Sequence, residues 1–115
     1  MDYHIPLIVC AFMALDVVSG LVKGWSQKAL SSTKLRKGLG NKMGFIIMLV
    51  LAYACEYAMG YLDLGFTVPL VPAVSVYICL TEVVSICENV AIINPDLQQS
   101  ALFQLFDVGG GDDED

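Results

Sequence analysis

A chain of 115 residues has room for one small domain. With 57% hydrophobic and only 16% charged residues, and a mean hydropathy of +0.68, it is too apolar for a water-facing surface of that size or for a disordered chain. Twelve acids against six bases give a net charge of −6, which disfavours nucleic acid as a partner and leaves the lipid bilayer as the expected surroundings.

A helix crossing the hydrocarbon core needs about 20 predominantly apolar residues. The first stretch of that kind is 5–22, with Pro6 at a helix start and one charge, Asp16. Acid rather than base follows Met1 and no small-residue cleavage site appears, so this run is expected to be retained as a span rather than removed as a signal peptide. Residues 23–42 then carry every base in the chain: Lys23, Lys28, Lys34, Arg36, Lys37 and Lys42. Within them Ser31-Ser32-Thr33 forms a helix-cap cluster, and Leu35, Leu39 and Met43 recur at helical spacing. The expectation is a basic loop holding a short interfacial helix, loosened at Gly38, Gly40 and Gly44 where it bends into the next span. Its bases can meet anionic lipid headgroups, at about 1 kcal/mol each.

The second span is expected at 43–62, with Glu56 its one charge, and the third at 70–92, with Pro72 in its first turn and Glu82 and Glu88 inside. The short connection 63–67 makes these two an antiparallel pair. Beyond them, Asn94-Pro95 opens an amphipathic segment over 95–108, and 109–115 is an acidic tail. The fold class expected is an all-α membrane protein with three transmembrane helices, 1–115 forming a single domain.

Lys and Arg set orientation, and acids contribute little. The last seventy-three residues contain ten acids and no base. The loop 23–42 is therefore expected in the cytoplasm, with the N-terminus and the 63–67 turn outside and the C-terminus inside.

No nucleophile–base set, phosphate loop or metal-ligand spacing is present. Cys10, Cys55, Cys79 and Cys87 lie in apolar runs, and His4 is the single histidine. No catalytic residue, metal or cofactor is expected, and the chain is read as a non-enzyme. What remains is the carboxylates of the spans. With no base inside the spans, only Asp16 and Lys23, seven apart, have a pairing within reach. The acids are otherwise expected to be protonated, hydrogen-bonded between helices or bathed by water. Ser75, Glu82, Ser85 and Asn89 share one face of the third helix, and Asp16, Ser19 and Lys23 one side of the first, where Gly20 and Gly24 offer a close-approach site. Glu56 clusters with Tyr53 and Tyr57 in the second. One polar stripe per helix suits an oligomer that encloses water. A three-helix packing core with neutral carboxyls is the alternative.

At these residues the sequence resembles the small phage-lysis holins, also described as toxin-secretion holins, of the type with three short spans. The resemblance rests on Asp16-Val-Val-Ser-Gly20, on the basic stretch from Ser31-Ser32 to Lys42, and on Glu82-Val-Val-Ser85-Ile86-Cys-Glu88-Asn89 followed by Asn-Pro-Asp-Leu at 94–97. It implies a pore-forming protein of the bacterial inner membrane that assembles as a homo-oligomer into lesions. These dissipate the membrane potential and release a cell-wall-degrading endolysin or a toxin, without a necessary direct contact. An antiholin regulating a paired holin, or a small proton-coupled transporter subunit, stays open as an alternative. The residues expected at a pore lining or oligomer contact are Asp16, Ser19, Glu56, Ser75, Glu82, Ser85, Glu88 and Asn89. The six bases are expected at the headgroups.

Single thiols introduced as Ser31→Cys and Gly65→Cys, in a chain cleared of its native cysteines, test the orientation. Residue 65 should react with an impermeant reagent from outside, and residue 31 only after permeabilisation. The opposite pattern would reverse the topology.

Overall fold

The computed structural model describes residues 3–99, and contains three long helices followed by one short turn of 3₁₀ helix. These are α1 (His4–Ser26), α2 (Ser32–Met59), α3 (Leu70–Ile93) and the 3₁₀ turn Pro95–Gln99. There is no strand among the described residues. Each long helix is long and apolar enough to cross a membrane. The part of the amphipathic segment beyond residue 99 and the acidic tail 109–115 lie outside the described residues.

Local chemistry explains where each helix begins and ends. Pro6 falls in the first turn of α1, where the N–H it lacks would have had no intrahelical partner. α1 closes with paired bonds, Ala29 N–H to Gly24 O at 2.7 Å and Lys28 N–H to Trp25 O at 3.1 Å. This is a Schellman ending, and it puts Lys28 at φ 55°, a left-handed position that glycine ordinarily takes. Gly24 lies close to the turn rather than to another helix: a Cβ on it would sit 3.0 Å from Leu30 Cδ2, which would have to shift to admit it. Ser31 then caps α2, its Oγ accepting from Lys34 N–H at 3.3 Å.

α2 differs from expectation. A single unbroken helix of 28 residues replaces the interfacial helix and bend. Nothing crowds Gly38, Gly40 or Gly44, and glycine costs a helix only about 1 kcal/mol relative to alanine, so the backbone hydrogen-bond ladder carries through. At 1.5 Å per residue the helix is roughly 42 Å long, more than the ~30 Å hydrocarbon core requires. Its basic first turns extend the span.

α3 begins at Pro69, an N-cap residue with no side-chain bond to offer. Its orphan donors are nevertheless met. Leu70 N–H bonds Val68 O at 2.9 Å across an inverse γ-turn centred on Pro69, and Ala73 N–H bonds Pro69 O. Pro72 has no N–H. The remaining donor, Val71 N–H, bonds Glu56 Oε2 of α2 at 2.7 Å.

α3 packs against both other helices, while α1 and α2 touch each other little. Pairings rise together along α1 and α3, with Asp16 beside Ser85 and Ser19 beside Asn89, so these two run parallel. They fall against each other along α2 and α3, with Lys42 on Glu82, Phe45 on Tyr77 and Glu56 on Val71, so these run antiparallel. A small apolar core of Val9, Met13, Leu49, Ala52, Val71 and Ile78 joins the three helices. Most other large apolar side chains, among them Leu7, Leu15, Ile47, Leu51 and Leu80, face outward, as a lipid-facing surface requires and a water-facing one does not.

Candidate functional site: a buried polar seam

Asp16 near the middle of α1, Lys42 in α2 and Glu82 near the middle of α3 converge on one point. Lys42 Nζ donates to Asp16 Oδ2 at 2.7 Å and to Glu82 Oε1 at 3.2 Å. Glu82 Oε2 lies 3.0 Å from the same nitrogen, in ionic contact but off the hydrogen-bond direction. The side chains of Asp16 and Lys42 are almost enclosed, and Glu82 is only 2% exposed. A charge at the centre of a membrane helix costs roughly 2.5–3.5 kcal/mol. Here the one ammonium offsets one carboxylate, and the second carboxyl brings either a surplus charge or a proton.

Around this triad the remaining polar groups bond one another. Ser85 Oγ donates to Asp16 Oδ1 at 2.6 Å, and Asn89 Nδ2 donates to the same oxygen at 3.2 Å. Asn89 Nδ2 also donates to Ser19 Oγ at 2.9 Å, and Ser19 in turn donates to Asp16 O at 3.1 Å. Asp16 thus accepts from three side chains on two other helices. A network so completed is tightly held, and removing one member leaves its neighbours buried and unpaired.

The residues expected at a pore or oligomer contact separate into three groups. Asp16, Ser19, Glu82, Ser85 and Asn89 meet in this seam, inside the three-helix unit. Ser75 is buried on the same face of α3, and its Oγ, like Tyr53 Oη, has no hydrogen-bond partner among the described residues. Glu56 and Glu88 lie elsewhere: Glu56 caps α3, and Glu88 is exposed. Of the bases, Lys28, Lys34, Arg36 and Lys37 are exposed and Lys23 is half-buried.

Lys42 overturns one expectation. It is not confined to the headgroups, and it supplies the spans with the base they were expected to lack. Asp16 pairs with Lys42, not with Lys23. The expected bend at the glycines and a second span starting only at residue 43 left Lys42 outside the membrane helix, whereas α2 runs unbroken through it. The signal was present in the spacing. Asp16 and Lys42 are equally far from Ala29, in the middle of the turn between α1 and α2. In a helical hairpin, residues equidistant from the turn lie at one level.

The four cysteines are free thiols, and among the described residues no cluster of histidine, cysteine and carboxylate side chains is arranged to hold a metal ion. The seam is built from charge and hydrogen bonds.

Residues 2–102 match the bacteriophage holin family. No curated protein and no solved structure matches the chain.

The triad makes a stability prediction. Lys42→Met leaves two carboxyls buried without a counter-charge and should destabilise the bundle by about 3 kcal/mol. Adding Asp16→Asn and Glu82→Gln to that substitution should restore most of the loss. Helicity followed during denaturing-detergent titration of the protein in mild micelles measures both. An equal loss in the single and triple variants would mean that the ion pairs do not hold the helices together.

Proposed function

The chain belongs to the bacteriophage holin family, whose members are non-enzymatic membrane proteins, and from that premise we propose that it is the lesion-forming holin itself. Copies gather in the bacterial cytoplasmic membrane, with the N-terminus outside and the C-terminus inside. They open lesions that collapse the membrane potential and release a cell-wall-degrading enzyme or a toxin. The observation that carries this reading is the seam: five polar side chains of α1 and α3, closed by Lys42, drawn together inside a unit whose helices turn most of their large apolar side chains outward.

Such a unit has two arrangements in which each charged group of the seam has a partner. In the closed one they bond each other, as Asp16, Ser85, Asn89 and Ser19 do. In an open one, α1 and α3 part, neighbouring copies join, and water meets the same carboxylates, hydroxyls and amide. Arrangements between the two leave charges in lipid without partners, at several kcal/mol. The transition is therefore cooperative, and mass action makes it steep in the density of copies. Ser75 and Tyr53 favour the open side, because their hydroxyls are unpaired in the closed unit and gain hydrogen bonds from water.

Controlled expression in bacteria together with an endolysin tests the proposal. Lysis should be delayed and then sudden, accompanied by loss of membrane potential. Lengthened delay of a paired holin's lysis, with no lysis by this chain, would instead make it an antiholin. Glu82→Gln should still lyse, on an altered schedule. Glu82→Leu and Ser85→Leu should insert normally but suppress lesions. If both leucine variants lysed on the original schedule, the seam would have no part in opening.

A further inference from the structure

Because α1 and α2 both lean on α3 and touch each other little, a crevice of about 290 Å³ remains between the C-terminal half of α1 and the N-terminal half of α2. Gly20, Gly24 and Gly38 border it, and none of them offers a side chain to fill it. Its deep end is the Lys42–Asp16 pair. Leu21, Leu35 and Leu39 line its length, and Lys23 and Lys34 stand at the end nearest the α1–α2 turn.

The charges in this lining do not cancel. Asp16 is its only acid, and that carboxylate is already taken by Lys42, Ser85 and Asn89. Lys23 and Lys34 meet no carboxylate among the described residues. The capped N-terminus of α2 adds the positive end of a helix dipole beside them. Two uncompensated ammonium groups therefore stand over a leucine-lined slot that runs toward the hydrocarbon.

We propose that the crevice seats one anionic phospholipid, its phosphodiester between Lys23 and Lys34 and the upper part of one acyl chain along Leu21, Leu35 and Leu39. Basic pockets between transmembrane helices are suited to anionic headgroups, and an apolar gap open to the bilayer is filled by lipid rather than water. The volume is at the low end for small-molecule sites, enough for a headgroup phosphate and the first carbons of a chain but not for a whole lipid. A free phosphate satisfies the lysines and leaves the leucines without a partner. A seated lipid covers the Lys42–Asp16 pair on the crevice side. The proposal depends neither on which face of the membrane holds the turn nor on whether the protein forms lesions.

Native mass spectrometry of the full chain in zwitterionic micelles tests it, with phosphatidylglycerol, phosphatidylcholine, soluble glycerophosphoglycerol and inorganic phosphate as separate probes. The expected result is retention of one phosphatidylglycerol in preference to phosphatidylcholine, with little binding of either soluble probe. Lys23→Gln with Lys34→Gln should weaken retention on the order of tenfold. Arg36→Gln with Lys37→Gln removes the same charge from residues outside the crevice and should leave retention nearly unchanged. Gly38→Leu should block the slot with the charge intact. It has open space around it and leucine is the better helix former, so the helix is preserved. Equal retention of the two lipids, equal effects of the two charge-removing pairs, or full retention by Gly38→Leu would overturn the proposal. Inorganic phosphate binding as tightly as the lipid would overturn it too, by making the site one for anions alone.

Discussion

One ammonium group serves two carboxyls in the interior of three apolar helices, and the rest of the architecture follows from that arrangement. Asp16 cannot reach a base on its own helix at the same depth, and Glu82 has none on α3. Both depend on Lys42, which enters from α2. For Lys42 to arrive at that level, α2 must already be helical ten residues earlier, from the Ser31 cap onward. The long basic extension of α2 is therefore part of the span's construction. The pairing fixes the register of all three helices at once, because a shift of one turn, about 5.4 Å, would leave at least one charge facing hydrocarbon.

The two ends of the bundle are held by different means. Toward the basic end, ion pairs and side-chain hydrogen bonds join α1 to α3 and α2 to α3. At the opposite end, the small core around Val9, Leu49, Val71 and Ile78 is apolar, and Glu56 ties α2 to the first turn of α3 through one backbone N–H. Apolar packing between helices gains little over packing against lipid tails, since both surroundings are equally oily. Polar contacts decide which helices stay together. This makes the bundle selective in its weak points: water that reached the seam could replace the contacts joining α1 to α3, while the apolar contacts elsewhere could be exchanged for lipid or for a second copy.

Much of this was legible in the sequence, for physical reasons. The length of the apolar runs gives three spanning helices, because the bilayer core sets a minimum. The cap cluster at Ser31 announces a helix start there, although the helix was expected to be short and to bend before the second span. The shared face of Ser75, Glu82, Ser85 and Asn89 follows from helical spacing alone. The resemblance to holins drew on three separate motifs, and the structure brings residues of all three into one network: Asp16 and Ser19 from the first, Lys42 from the second, and Glu82, Ser85 and Asn89 from the third. Two things were not legible. Spacing along one helix does not say whether a polar face meets its own chain or a neighbour's, so the sequence left a pore or oligomer contact and a three-helix packing core both open, and in the structure these residues meet within one chain. Glu56 looked like another member of a polar stripe, and its role as a cap depends on a contact with Val71, fifteen residues away across a turn whose shape Pro69 determines.

The central claim is that the seam between α1 and α3 must part before a lesion forms. The most direct test is to fasten it. With the native cysteines replaced, Ser19→Cys and Asn89→Cys put two thiols where side chains now meet at 2.9 Å, so that oxidation can bond α1 to α3. Release of a trapped dye from proteoliposomes then reads the outcome. The account predicts no release from the oxidised protein and recovery of release when the same vesicles are reduced. Release from the fully oxidised protein at the rate of the reduced one would contradict it, because lesions would then form with the seam closed.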